Sequence, residues 1–267
     1  MSGSLQRGMA ILELLATTPH PLPLRDIAQS VNGPPTTVHR ILGILAEAGF
    51  INQVKDNGDY YLSLKLASLG LIGLANTGIN GVAQPILDRL ATETGELVRL
   101  GIIEDDKMVF IAKAAVPRYG LRYDPDAGQE APLYCTASGQ AWLLNLSDEE
   151  ALRIISRQDL TFQQQQHGPN APMTIQQFLK GLQAARKRGY GLNLNASMAG
   201  LNAIAVAITQ PTTGKIIGSL SLAGPSSRFT EERAKEFLPE LKKNAEELSS
   251  ITLYPTALLG ESSPYHT

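Results

Sequence analysis

The sequence predicts an α+β protein in two parts, an N-terminal winged helix-turn-helix followed by a second domain of alternating strands and helices. Three observations predict it. Between residues 5 and 50 the apolar residues recur at helical spacing in three short runs, divided by proline- and glycine-rich breaks. The runs are followed by "FINQVKDNGDYYLSL", in which two strand-like segments flank Asn57-Gly58, the strongest short hairpin signal. From Pro85 onward the pattern changes, and apolar strands joined by turn residues alternate with amphipathic stretches.

Leu5 to Thr17 reads as the first helix, with Leu5, Met9, Leu12 and Leu15 on its inward side. Prolines at 19, 21 and 23 end it. Leu24, Ile27, Ala28 and Val31 mark a second helix of about two turns. Asn32-Gly33 stops that helix, since both residues tolerate positive φ. Pro35 suits the first turn of a third helix, where its missing N–H costs nothing, and Val38, Ile41, Leu42 and Leu45 form its buried stripe. The winged helix therefore occupies residues 1–63. Residues 64–80, "LKLASLGLIGLANTGIN", form an apolar, glycine-bearing connecting helix, and the second domain runs over 81–254 with a tail at 255–267.

Within the second domain, Ala83 to Gly95 reads as a helix and "LVRLGIIEDDKMVFIAKA" as a hairpin turning at Asp105-Asp106. "LYCTASGQAWLL" starts as a loop and becomes helical, and the glutamine run 163–166 is an exposed loop. A helix capped by Thr174 stops at Gly189, the strands "AIAVAIT" and "IIGSLSLAG" are joined by "QPTTGK", and Thr230 to Ile251 closes as one long helix.

At 267 residues and 43% hydrophobic, the chain is long enough for two cores. No apolar run reaches the roughly 18 to 20 residues that span a bilayer. The start carries no apolar signal core, and the single Cys135 forms no internal disulfide, so a soluble cytoplasmic protein is expected. Net charge is −2. Through residue 65 the cations Arg7, Arg25, Arg40, Lys55 and Lys65 balance Glu13, Asp26, Glu47, Asp56 and Asp59, so electrostatics alone makes no case for nucleic acid.

The case comes from geometry. In a winged helix the helix after the tight turn enters the DNA major groove by its N-terminal end. Its outward face carries Thr36, His39, Arg40 and Gly43. Arg40 suits a guanine edge, Thr36 and Thr37 a phosphate or a thymine methyl, and His39 either. The DNA-contacting set is Arg7, Pro35, Thr36, Thr37, His39, Arg40 and Lys55. The plainer alternative is a short helix with an ordinary polar outer face.

"LQRGMAILELLA", "LPLRDIAQSVNGPPTTVHRILGILAEAGFI" and "YYLSLKLASLG" resemble the DNA-binding domain of IclR-type bacterial transcriptional regulators. "APLYCTASGQAWLL", "ARKRGYGLN" and "IIGSLSLAGPSSRFT" resemble that family's C-terminal domain, in the right order over residues 5 to 250. The resemblance implies a curved antiparallel, GAF-like sheet, dimers often paired as tetramers, palindromic operators and a small-molecule effector. The sequence departs from the family pattern at Asn195 and Ala196, where an acidic pair is usual, at Gln140, where many members carry Lys or Arg, and in its short arm before Leu5.

The family's effector pocket maps onto Cys135, Thr136, Ala137, Ser138, Trp142, Asn202, Ala203, Ser219 and Ser221. N–H groups opening the helix near Thr136 to Ser138 suit an anion, and the small polar and apolar inventory, with Leu220 and Leu222, suits a small organic or aromatic acid. Serines merely tolerated on a strand, and a Trp142 buried in the core, are the plainer readings. Cys135 has no histidine beside it in a sequence motif, and "TASGQ" lacks the leading glycine of a nucleophile elbow, so no catalytic residue is expected. No His, Cys or carboxylate cluster has metal-ligand spacing, and no cofactor motif is present. Two functions remain: a ligand-responsive DNA-binding regulator, and a small-molecule enzyme that uses its winged helix only to dimerise.

Overall fold

A computed structural model describes residues 3–54, 58–76, 79–116, 127–158 and 167–250. Lys55, Asn57, the glutamine run and the tail lie outside the described residues. The chain divides into two compact units after Asn76.

The first unit holds α1 (Ser4–Thr17), α2 (Leu24–Ser30), α3 (Pro35–Glu47), strands β1 (Ile51–Gln53) and β2 (Tyr60–Leu62), and α4 (Leu64–Asn76). Ile11, Leu15, Ile27, Val38, Ile41 and Leu42 meet Ile51 and Tyr60 in one core. The antiparallel wing gains an isolated bridge that the sequence did not announce: Leu22 and Tyr60 exchange both backbone bonds, at 2.9 and 2.8 Å.

The inward stripe of α1 differs from the expected one. Leu5 and Met9 are 73% and 54% exposed, while Gly8, Ile11 and Leu15 are buried. The buried stripe passes through Gly8, which has no apolar side chain to mark it, so the periodicity was drawn to the wrong leucine and methionine. At the helix-turn-helix corner only Asn32 is left-handed, with φ 47°. Gly33 is needed for space instead: a Cβ there would meet Val38 Cγ2 at 2.9 Å and Arg7 Cδ at 3.3 Å.

In the second unit, α5 (Ile79–Thr94) begins before the expected Ala83 and runs through Pro85. Strands β3 (Leu97–Glu104) and β4 (Lys107–Ala114) form the hairpin, with Asp105 left-handed at the turn. Helices α6 (Ala137–Leu143), α7 (Asp148–Ile155) and α8 (Ile175–Arg188) precede β5 (Gly191–Leu194), β6 (Leu201–Thr209) and β7 (Ile216–Pro225). The sheet is antiparallel in the order β4-β3-β7-β6-β5.

Thr174 accepts from the Gln177 N–H as the cap of α8, and Gly189 ends it at φ 75°. The predicted single C-terminal helix is two, α9 (Glu231–Glu236) and α10 (Leu238–Ser249). Pro239 explains the break, because a proline ring fits a first turn and clashes inside a helix.

Helix α6 packs on one face of the sheet through Ala137 and Ala141, which meet Leu201, Ala203, Ala205 and Ala223. Alanine on both sides lets the helix lie close. Backbone approach is closer still at Gly139 and Gly191, where an added Cβ would fall 2.0 Å from the Leu133 carbonyl oxygen and 1.9 Å from that of Ala137. Among the described residues no helix is long and apolar enough to cross a membrane.

Candidate functional site

The DNA-facing candidates lie at the start of α3. Thr36, His39 and Arg40 are exposed, Thr37 is half-buried, and Pro35 occupies the first turn. No side chain caps that end, since Pro34 holds the cap position. The amides of the first turn are therefore presented outward, the arrangement that receives a phosphate. Arg40 donates to Ser4 Oγ at 3.3 Å, which lays it across toward α1. Space around Gly43 is open, as the slim-face reading requires.

Arg7 is less available than the sequence implied. Its stem packs on Gly33, and its buried Nε has no hydrogen-bond partner among the described residues. Lys65, which the sequence reading did not single out, donates to the Ala48 carbonyl at 2.6 Å beyond the C-terminus of α3 and lies 4.8 Å from the Phe50 ring. It thereby ties the recognition helix to the start of α4. A lysine near a helix C-terminus was the available signal.

In the second unit the structure gathers part of the expected effector set on the α6 face of the sheet. Across β6, β7 and β3, Ala205 pairs with Ser221, and Ser221 with Arg99. Directly opposed residues of an antiparallel ladder share a face. Ala203 and Ser219 lie two residues along on the same face, and Ala203 and Ala205 are covered by α6. Ser219 Oγ lies 3.3 Å from Met108 Sδ, and Ser221 Oγ donates to the Arg99 carbonyl at 3.4 Å.

Other members of the set are occupied. The Thr136 hydroxyl donates to the Pro132 carbonyl at 2.9 Å and accepts from the Gly139 N–H at 3.1 Å, so it is the cap of α6. Ala137 is packed on the sheet alanines, and Ser138 is 2% exposed. Trp142 belongs to the core with Phe110, Leu133, Tyr134 and Phe178. Asn202 alternates to the opposite face, where it donates to the Phe229 carbonyl and accepts from Asn195. The structure therefore does not bring Asn202 to the α6 face.

Cys135 stands at a different place. It lines an open groove of about 570 Å³ with Tyr134, Gln140, Phe178, Arg188 and Leu192. There Gln140 Oε1 accepts from Arg188 at 2.7 Å and from the Leu192 N–H at 3.0 Å. In the groove, Gln140 and Arg188 thus serve to join elements of the fold.

The structure also brings together two residues that sequence spacing kept apart. Cys135 Sγ lies 3.7 Å from His167 Nδ1, and the His167 ring meets Tyr134 edge-on. Burial nonetheless pushes the thiol up to about 12, so it is protonated at neutral pH and a poor nucleophile. In the stretch 193–200, asparagines take over the local bonding. Asn193 Oδ1 accepts from the Ala196 N–H at 2.7 Å while its amide donates to Ser197, and Asn195, left-handed at φ 55°, accepts from the Gly200 N–H at 2.7 Å.

Missed altogether was Arg99. It is only 9% exposed, in the middle of the apolar strand β3, with its guanidinium 3.6 Å from the Phe110 ring centroid. The signal was visible: a lone cation interrupting "LVRLGII".

A winged helix with an open recognition face, joined in one chain to a helix-covered antiparallel sheet, defines a two-part DNA-binding regulator. Residues 4–55 match the IclR helix-turn-helix domain, and residues 73–250 match the family described as bacterial transcriptional regulator IclR C-terminal. The chain belongs to the IclR family of bacterial transcriptional regulators.

It is similar to the HTH-type transcriptional repressor AllR of Escherichia coli K12, 31% identical over 86% of this chain and 83% of that one. Its fold matches the crystal structure of an IclR transcriptional regulator from Alicyclobacillus acidocaldarius, with TM-score 0.78 and 24% identity over 94% of this chain and 99% of that one. An IclR homologue from Microbacterium hydrocarbonoxydans, solved in complex with 4-hydroxybenzoate, aligns with TM-score 0.71 and 21% identity over 94% of this chain and 99% of that one. The chain is thus a ligand-responsive DNA-binding regulator of transcription, with a helix-turn-helix for DNA and a C-terminal effector domain.

Proposed function

We propose that this regulator reads a palindromic operator as a dimer or a pair of dimers in the cytoplasm, without catalytic turnover, and that a small organic or aromatic acid held at the α6 face of the sheet changes its operator affinity. The observation that carries the effector reading is the register Ala205–Ser221–Arg99, which aligns a hydroxyl and a cation beside α6. The 4-hydroxybenzoate bound by the Microbacterium relative belongs to the same chemical class.

Thr36, Thr37, His39 and Arg40 contact the operator, with Pro35 shaping the helix start and Arg7 and Lys55 adding charge. Ser219 and Ser221 line the effector site. The dimer reading is supported by α4, where Leu64, Leu69, Leu71 and Ile72 are 82%, 49%, 63% and 58% exposed, an unusual length of apolar helix to leave in water. Two copies reading half-sites supply the specificity that one short recognition helix lacks.

The test is to sequence promoter DNA that co-purifies with the protein and titrate that fragment by anisotropy at several salt concentrations. A regulator loses affinity steeply as salt rises, because phosphate contacts release counterions. A flat salt response would reject operator binding, and a monomeric sedimentation mass at micromolar concentration would reject the dimer.

A further inference from the structure

We infer that the groove along the free edge of β5 is a second small-molecule site and that it takes an N-acylated amino acid. It is separate from the effector site proposed on the α6 face of the sheet. Leu192 and Leu194, which line the groove, pair with Ile204 and Asn202, so their side chains alternate away from Ala203 and Ala205.

Strand β5 ends the sheet and is paired with β6 on one side only. On its other side the Leu192 N–H donates to Gln140 Oε1 at 3.0 Å, and the Leu194 carbonyl accepts from Asn170 Nδ2 at 2.8 Å. In an antiparallel ladder the N–H and C=O of one residue point to the same side. The Leu192 carbonyl and the Leu194 N–H therefore also point outward, between Gln140 and Asn170, and neither has a partner among the described residues. These four residues line the groove of about 570 Å³, a size that suits a small ligand.

An open donor and acceptor on a sheet edge recruit a matching pair. A single amino-acid residue supplies it, its N–H donating to the Leu192 carbonyl and its carboxylate accepting from the Leu194 N–H, as one residue does in a parallel pair. A longer strand does not fit, because Gln140 and Asn170 already hold the flanking backbone groups. Charge selects the acid. Arg188 lines the groove and makes no ion pair among the described residues, whereas Glu231, across from it, is neutralised by Lys235 at 2.7 Å. Phe178 and Leu182 give the ligand's side chain an apolar floor.

The experiment is calorimetry on the full chain with N-acetyl-L-phenylalanine, its N-methylated analogue, which lacks the donor, its methyl ester, which lacks the charge, and pentaalanine. Wild type should bind the acid about tenfold tighter than the N-methylated analogue and about threefold or more tighter than the ester. Exchange of the Leu194 amide, followed by NMR, should slow about tenfold at saturation. Gly181 lines the groove from α8, and a Cβ there meets nothing within 4 Å. Gly181→Leu should therefore keep the melting temperature, leucine being the better helix former, and weaken the acid about tenfold or more.

An N-methylated analogue bound as tightly as the acid overturns the pairing with the strand edge. Full affinity in a folded Gly181→Leu protein puts the ligand elsewhere and overturns the site. Should Gly181→Leu not fold, wild type decides, since an unchanged Leu194 exchange rate overturns it equally. Tighter binding of pentaalanine than of the acid would show strand addition and overturn the one-residue occupant. No heat from the acid overturns the inference as a whole.

Discussion

Arg228 grips Glu96 at both carboxylate oxygens, Nε on Oε1 at 2.8 Å and a terminal nitrogen on Oε2 at 2.9 Å. Glu96 sits just after α5 and is 6% exposed, and Arg228 follows β7, so the pair fastens the segment beyond one end of the sheet to the entry of β3. Gly224 completes the arrangement, because a Cβ there would lie 2.4 Å from Glu96 Oε2. Removing the arginine strands a buried carboxylate. Arg228→Ala should lower the stability of the full chain by about 2 to 4 kcal/mol in urea unfolding, while Arg233→Ala, which breaks an exposed i,i+3 pair, should cost under about 0.5 kcal/mol. Equal losses would refute the ranking.

The Asp106 carboxyl is held below the ordinary aspartate range, first by its hydrogen bonds from Arg153 and then by the charges of Arg153 and Arg157. A carboxylate whose folded pKa is depressed contributes its full stability above the unfolded value, about 3.9, and loses it as pH falls through the lower folded value. Melting temperature should therefore decline on acidification below about pH 4 more steeply in wild type than in Asp106→Asn. Parallel curves for the two proteins would contradict this.

On the DNA side, Arg40→Ala should cost about 1 to 3 kcal/mol on the operator and relax preference at one base pair. The Ser4 hydroxyl only leans on Arg40, at 3.3 Å on an exposed surface, so Ser4→Ala should cost less than about 1 kcal/mol. Anisotropy on single-base operator variants separates the two. Undiminished binding by a folded Arg40→Ala protein would remove Arg40 from the base-reading set.

The two α3-side glycines should respond oppositely. Gly33→Ala drives a Cβ into Val38 and should destabilise by about 1 to 3 kcal/mol. Gly43→Ala meets nothing within 4 Å and should stabilise the helix by up to about 1 kcal/mol. A bulkier Gly43→Leu should keep the melting temperature and lose operator affinity, since only the bound groove would be crowded. Full operator affinity in a folded Gly43→Leu protein would exclude Gly43 from the interface.

Much of the fold was legible because it is written in local signals. The cap at Thr174, the stop at Gly189, the Asp105 turn and the Pro35 start each act within a few residues, so sequence alone locates them. The same locality set the errors. Gly8 hid the true stripe of α1 because burial of a glycine leaves no apolar mark, and Pro239 divided a helix that periodicity had joined.

The sequence by itself determined the order of elements, the division into a DNA-reading half and an effector half, and the family to which both belong. Tertiary structure decided where each polar residue lies and what it meets. It spent Thr136 on capping α6 and Asn202 on the opposite face, brought His167 to Cys135, and aligned Arg99 with Ser221. The physical reason is register. A side chain's face and partners depend on pairings between strands and helices far apart in the chain, and a shift of one residue in those pairings sends each side chain to the other side of the sheet.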